Sequence, residues 1–411
     1  MWGFSSGRQY ATGIEIGTSK ICVVIAEVSK THPFRVLGVG QSISREVRKG
    51  SICDPEQTYA ELRDAIVEAE DNANVSIGDV CIGITGSNIH SVNSVSTQIV
   101  ESNGIVSEED VINVYHTAED CKPKEVRNGM LLHRVPQPFI LDDTVIRGSP
   151  VGLSGDRLCL PMHWIYGAHG NIHTVFSLLR EMRLEPKYPV FNGFALAYFL
   201  KDDERLKQGG LILDMGAGTT EYVFLQKGVI RHAGVLPIGG DHVSNDLALG
   251  LKLEISAAEN LKISHGRAIR DPQAANVQLA VELRSGERRS VRFDHMQLIM
   301  ELRLKETFRI IRKILQKEGL RLSPDQVVMI CGGGACIQMI EKLASSVFQV
   351  NAIPYAVRPY GEIPDSLKKP QFATPLALAI YCAGRMSGEK KGPLGKLRLL
   401  NFWKSKEEEE E

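Results

Sequence analysis

Ile14-Glu15-Ile16-Gly17-Thr18-Ser19-Lys20 and Leu213-Asp214-Met215-Gly216-Ala217-Gly218-Thr219-Thr220 state one pattern twice, half a chain apart. Each follows apolar residues, carries one carboxylate, turns on glycine beside hydroxyl side chains and enters a second apolar run, residues 21–26 in the first copy and 222–225 in the second. The reading is strand, glycine turn, strand. A repeat of this kind predicts two related halves facing each other. Glycine lets the backbone turn tightly enough for its amides to reach phosphate oxygens, and the carboxylate can hold a hydrated Mg²⁺ beside them. Two such hairpins would clamp a nucleoside triphosphate.

A lone hairpin of this sort is most often just a tight turn. A third glycine cluster argues for more: Gly332-Gly333-Gly334 follows the apolar run Val327-Val328-Met329-Ile330 and precedes the apolar-periodic stretch 337–348. Strand, glycine turn and helix is a geometry in which backbone lies flat against a ribose and a base. Three motifs in this order resemble the actin-like ATPase superfamily of actin, the seventy-kilodalton chaperones and sugar kinases. The resemblance implies an α/β, ribonuclease H-like duplicated, two-lobed fold with ATP and Mg²⁺ as cofactors.

At 411 residues the chain has room for about two to four domains, and 43% hydrophobic with 24% charged residues is ordinary globular composition. A formal net charge of −1 argues against a nucleic-acid partner, which needs a basic face over most of a domain. The cysteines at 22, 53, 81, 121, 159, 331, 336 and 382 show no metal or disulfide spacing, so reduced thiols in a cytoplasm are expected. No apolar stretch approaches the ~20 residues of a membrane-crossing helix, and residues 1–10 lack the apolar core of a signal peptide. The chain is expected neither to span nor to cross a membrane.

Between the motifs, periodicity predicts a strand over 34–39, a helix from Pro55 to about Asn72 and a strand over 80–84. From about Gly86 the pattern changes to short alternating strands over 91–100, a capped helix starting near Ser107-Glu108-Glu109-Asp110, and strands over 130–134 and 139–141. This reads as a small α+β insertion. Residues 162–167 return to strand, 171–182 form an amphipathic helix, and Pro189-Val190-Phe191-Asn192-Gly193 leads on. The second half repeats the plan from Gly210, with a helical interruption over about 236–325.

The insertion narrows the resemblance. His116-Thr117-Ala118, Leu132-His133-Arg134-Val135-Pro136-Gln137-Pro138-Phe139-Ile140-Leu141-Asp142, and Pro150-Val151-Gly152-Leu153-Ser154-Gly155-Asp156-Arg157-Leu158 with His163 resemble the FtsA family of bacterial cell-division proteins, over about residues 11–385. That resemblance implies subdomain 1A at 1–85 and 165–208, an inserted α+β 1C domain at 86–164, subdomain 2A at 209–235 and 326–385, and a helical 2B subdomain at 236–325. Residues 386–411 become a linker, starting near Arg385, and an amphipathic membrane-targeting segment.

By resemblance, Gly17, Thr18 and Ser19 offer donors to the β- and γ-phosphates, with Lys20 adding charge, and Gly216, Gly218 and Thr219 form the opposing hairpin. Glu15 and Asp214 support Mg²⁺ through its water shell. Glu15 stands where most of the superfamily has aspartate, one methylene shorter. Gly239-Gly240-Asp241 matches a further ribose and phosphate contact, Glu259 and Lys262 match the adenosine-contacting Glu-x-x-Lys pair, and Gly332, Gly333 and Gly334 carry the adenosine. At that spacing a Glu/Lys pair is otherwise a surface salt bridge. In the connecting turn the superfamily places Glu or Gln to orient the attacking water; here Asn192 stands there, too short and unable to accept a proton. Slow ATP turnover is expected.

The tail ends in Leu394-Gly395-Lys396-Leu397-Arg398-Leu399-Leu400-Asn401-Phe402-Trp403-Lys404-Ser405-Lys406 and five glutamates. Leu399, Leu400, Phe402 and Trp403 gather on one side of a helical wheel, as suits a bilayer interface. The family resemblance implies a scaffold that polymerises, tethers FtsZ filaments to the cytoplasmic face of the cell membrane at the division septum, and recruits later division proteins through 1C. It also implies that 236–325 bind the FtsZ tail peptide, where Arg284, Arg288, Arg289 and Arg292 form either a basic docking patch or a solvated hairpin. The rivals are a pilus-assembly ATPase of the PilM type, which carries a similar insertion, and a small-molecule kinase, which needs a deep aspartate as base.

Overall fold

The computed structural model describes residues 9–29, 34–101, 103–284, 286, 288–355 and 361–388. β1 (Gln9–Ile16), β2 (Lys20–Val28) and β3 (Arg35–Ile43) form an antiparallel meander. β2 is apolar almost throughout because both its faces are covered. The two-residue strands β4 (Val47–Arg48) and β5 (Ser51–Ile52) lead to α1 (Pro55–Ala73), whose start is set by the Asp54 side chain accepting the Gln57 amide and by proline in the first turn. α1 lies against β3, where Gly38 and Gly40 allow the helix backbone to touch the sheet. β6 (Asp79–Ile84) then pairs in parallel with β1.

The insertion follows: β7 (Ile89–Ile99), α2 (Glu108–Asp120), α3 (Lys124–Asn128), β8 (Met130–Pro136), β9 (Phe139–Leu141), β10 (Thr144–Ile146) and β11 (Arg157–Gly167). The strands form one sheet in the order β10-β9-β11-β7, with β8 also on β11. The expected short strands over 91–100 are in fact one strand, held along its full length by β11. α2 starts as read, with Ser107 and Asp110 exchanging hydrogen bonds in a capping box. Leu158, Leu160, Met162 and Trp164 on β11 pack under Val114 and Ala118 of α2 and give the insertion its own core.

The chain returns through α4 (His169–Glu181), β12 (Glu185–Phe191) and α5 (Asn192–Leu200), closing a first sheet of order β12-β6-β1-β2-β3. The second lobe runs β13 (Gly209–Met215), β14 (Thr220–Gln226), β15 (Val229–Leu236), α6 (Gly240–Leu251), α7 (Ile255–His265), β16 (Gln278–Glu282), β17 (Arg288–Arg292), α8 (Phe293–Lys317), β18 (Val327–Cys331), α9 (Ile340–Phe348) and β19 (Asn351–Pro354). Its sheet has the order β19-β18-β13-β14-β15. Strand for strand, parallel pairs and antiparallel pairs alike, this is the topology of the first sheet. The repeat in the sequence is a repeat in the fold.

Two details differ from expectation. Residues 236–325 are not wholly helical, since β16 and β17 form a hairpin inside them. The last helix, α10 (Ala373–Gly388), continues past Arg385, where a linker was expected. Its alanine-rich face fits flush on β1, where a side chain at Gly13 would overlap the backbone of Ala379. Leu399, Leu400, Phe402 and Trp403 lie outside the described residues.

Candidate functional site

The two glycine hairpins meet. Gly17 donates to the Lys20 carbonyl at 3.0 Å and Gly216 to the Thr219 carbonyl at 2.9 Å, so the same hydrogen bond closes both turns. A side chain on Gly218 would strike Thr18 Oγ1 and the Lys49 backbone, so only glycine lets the second turn come this near the first. Beside them opens a cleft of about 460 Å³. Its first wall carries Glu15, Gly17, Thr18, Ser19 and Lys20, and the opposite wall Asp214, Gly216, Gly218 and Thr219. Gly332, Gly333 and Gly334 line it after β18, with Asn192, Gly240, Glu259 and Lys262. Gly332 has a φ of +78°, and it carries the chain across Asp214 so closely that a Cβ there would overlap the carboxylate.

Carboxylates gather at the cleft floor. Asp214 stands directly opposite Glu221 in the β13–β14 register, so both side chains point to one face. Asp214 Oδ2 accepts from Thr374 Oγ1 at 2.5 Å. Glu221 Oε1 accepts from Thr85 Oγ1, and from Asn192 Nδ2 at 3.4 Å. Burial pushes the Glu15 carboxyl up to about 7, with Lys20 opposing and the Asp214 charge adding. Burial likewise raises Asp214, against the Thr374 hydrogen bond and Lys20, and it raises Glu221 strongly with the Asp214 charge. Glu15 Oε2 and Glu221 Oε2 are buried without a partner. Among the described residues no three His, Cys, Asp or Glu side chains are grouped to hold a metal ion directly, so a divalent cation here would be held through its water shell, for which the unpartnered carboxylate oxygens have the right chemistry.

Lys20 is fixed at the edge: its Nζ donates to the Gln371 carbonyl at 3.0 Å and sits 4.2 Å from the centroid of the Phe372 ring. Lys262 Nζ donates to Glu259 Oε2 at 2.7 Å and to the Gly240 carbonyl at 3.1 Å, while Glu259 also accepts from Ser244. The pair braces the cleft wall, with Lys262 largely buried and Glu259 partly exposed.

The Gly239-Gly240-Asp241 reading needs correction. Gly240 and Asp241 donate their amides to the Gly216 and Ala217 carbonyls, both at 2.9 Å, and Gly239 donates to His242 Nδ1 at 3.2 Å. The start of α6 is spent on holding the second hairpin, so none of these amides is left for a phosphate. Gly240 still lines the cleft; Gly239 does not, and packs instead against Ala217. The arginines lie on and beside the β16–β17 hairpin: Arg289 donates to the Lys252 carbonyl, Arg292 pairs with Asp294 at 2.6 Å, and Arg284 meets Glu254 at 4.0 Å.

Sequence reasoning missed Thr85, Glu221, Gln371 and Thr374, all of which line the cleft. Glu221 had a signal: in a two-stranded hairpin the residue opposite Asp214 shares its face. The first hairpin concealed it, because there Glu15 stands opposite the buried thiol of Cys22.

Two lobes of one topology around paired glycine hairpins, with an α+β insertion in the first, define a member of the actin-like fold. The family model described as "Cell division protein FtsA" matches residues 211–377, and that described as "SHS2 domain inserted in FTSA" matches 86–166. The chain is 28% identical over 414 aligned residues to the cell division protein FtsA of Neisseria meningitidis serogroup B, covering 96% of this chain and 98% of the relative. Among solved structures it is similar to the PilM-PilN type IV pilus biogenesis complex, with a TM-score of 0.62, 18% identity, and 91% of this chain and 98% of the other covered. It is also similar to MreB5 of Spiroplasma citri bound to ADP, with a TM-score of 0.51, 13% identity, and coverages of 92% and 95%. The chain belongs to the FtsA family of cell division proteins.

Proposed function

We propose that the cleft binds ATP with Mg²⁺ and that the chain is a cell-division scaffold which polymerises and tethers FtsZ filaments to the cytoplasmic face of the membrane. The observation that carries the nucleotide reading is the pair of identically closed hairpins facing each other over unpartnered carboxylate oxygens. The ADP bound to MreB5, a relative in fold, supports it. Bound Mg²⁺ would neutralise phosphate charge. Turnover is slow, because the Asn192 amide, which stands in the connecting turn, cannot accept a proton from an attacking water. The site then serves as a nucleotide switch.

For the FtsZ tail the best surface is not the arginine hairpin but an open groove of about 570 Å³ along α6 and α8. Ile299, Leu302 and Ile310 give it an apolar floor, and Lys305, Arg309 and Lys313 a basic rim, which suits an acidic peptide with apolar anchors. Lys305→Glu with Lys313→Glu is expected to slow association of an FtsZ tail peptide and flatten its salt dependence, measured by stopped-flow fluorescence. Unchanged rates would move the site elsewhere. On the insertion, Val95, Ile99, Val145 and Leu153 are apolar and exposed, as suits self-association or the docking of later division proteins.

Among the described residues no helix is long and apolar enough to cross a membrane, so attachment falls to the tail. Lys390, Lys391, Lys396, Arg398, Lys404 and Lys406 contribute about 1 kcal/mol each near anionic lipid, which the five terminal glutamates largely offset. Burial of Phe402 and Trp403 therefore carries the affinity, multiplied along a filament. Trp403→Glu is expected to release the protein from floated liposomes while sparing ATP binding. Co-sedimentation with FtsZ and liposomes tests the whole reading: a wild-type chain that brings no FtsZ to lipid refutes it.

A further inference from the structure

The groove along α6 and α8 has a feature that its general chemistry does not exhaust: it is polar along its length. Ile299 and Leu302 stand at the end nearer the start of α8, and Leu302 is 59% exposed. Lys305, Arg309 and Lys313 follow in the direction of the chain, with Ile310 between the last two continuing the apolar floor beneath them. Arg303 is already matched by Asp246 at 2.6 Å and by Glu306 at 2.5 Å. Lys305, Arg309 and Lys313 carry no ion pair among the described residues, so an anion docked there displaces no existing partner.

The end of this same chain has the complementary order. Leu399, Leu400, Phe402 and Trp403 come first, and Glu407 to Glu411 follow. The spacing also agrees. From the apolar pair to the middle of the basic stretch is about 13 Å along α8, and from the apolar cluster to the middle of the glutamate run is about 12 Å in a helical tail. Residues 389–401 span up to about 45 Å when extended, so the terminal segment is not confined to the neighbourhood of Gly388.

We propose that the terminal segment, residues 399–411, docks in the α6/α8 groove of its own chain, with Phe402 and Trp403 on the apolar floor and the glutamates along Lys305, Arg309 and Lys313. The terminal glutamates, which weaken attraction to anionic lipid, here find a binding role. A chain in this state withholds the groove from an acidic partner peptide and the aromatic residues from lipid, so partner, membrane and tail compete. The docking itself rests only on the groove and the tail, and its test contains neither FtsZ nor lipid.

The full-length chain, at a concentration where it is monomeric, is treated with a carbodiimide that joins carboxylates to amines only where they touch. The products are mapped by mass spectrometry, with an equal mixture of ¹⁴N- and ¹⁵N-labelled chains separating links within a chain from links between chains. Docking predicts links from Glu407 to Glu411 onto Lys305 and Lys313 within one chain. Arg309→Glu leaves both amines in place but reverses the charge between them, and should lower these links roughly fivefold or more. Leu302→Asp should do the same by spoiling the apolar floor. Tail links that are absent, that fall on lysines elsewhere, that join different chains only, or that persist undiminished in both variants overturn the proposal.

Discussion

Asp214→Ala is expected to weaken Mg·ATP binding by about a hundredfold, because Asp214 supports the metal from the strand that also positions the second glycine turn. Removing one carboxylate around a metal typically costs 10–100-fold in affinity. Here the loss sits at the upper end, since Thr374 Oγ1 also loses the acceptor it meets at 2.5 Å and the cleft keeps only Glu15 as a metal support. The fold should tolerate the change, since it removes one of three crowded carboxyl groups whose burial is already costly. Isothermal calorimetry with Mg·ATP, and with ATP in excess chelator, separates the two contributions. The loss should be confined to the Mg²⁺-dependent part. An affinity unchanged from wild type would remove Asp214 from the site.

Most of the architecture was written in short-range patterns. The two hairpins, the third glycine turn and the capped helix at Ser107 each announce themselves through residues within eight positions of one another. In these places local backbone chemistry and global fold demand the same thing. The topology of both sheets follows once the repeat is seen, because a duplicated hairpin implies a duplicated lobe.

What stayed hidden depends on register and on hydrogen bonds between distant residues. Gly240 looked like a phosphate donor until the Gly216 carbonyl claimed its amide at 2.9 Å. Nothing in the sequence near Gly240 reveals that acceptor. Thr85 and Thr374 are ordinary threonines in the sequence, and become cleft residues only because Glu221 and Asp214 stand beside them. Arg284 and Arg289 meet Glu254 and the Lys252 carbonyl, partners distant in sequence that folding brings to them, whereas Arg292 pairs with Asp294 two positions on. Charge in a sequence is easily counted; charge left unpaired after folding is a tertiary property.

The second large effect is a dependence of stability on pH that runs opposite to that of most carboxylates. Burial lifts Glu15 from its ordinary 4.5 to about 7. Between those values the folded chain holds a proton that the unfolded chain has released, so stability falls as pH rises through this window. Above pH 7 the full cost of ionising the buried group remains, about 3 kcal/mol at 1.36 kcal/mol per pH unit. Asp214 and Glu221 are shifted the same way and add to the slope. Glu15→Gln carries no charge at any pH. Without metal or nucleotide, the variant should match wild type below pH 4.5 and exceed it by about 3 kcal/mol at pH 8 in urea titrations. Its affinity for Mg·ATP should fall at the same time, because the cost of ionising buried Glu15 is what a bound cation offsets. Parallel stability curves for the two proteins from pH 4.5 to 8 would show that Glu15 is solvated and ionised as on any surface, and that the cleft is not poised for a metal.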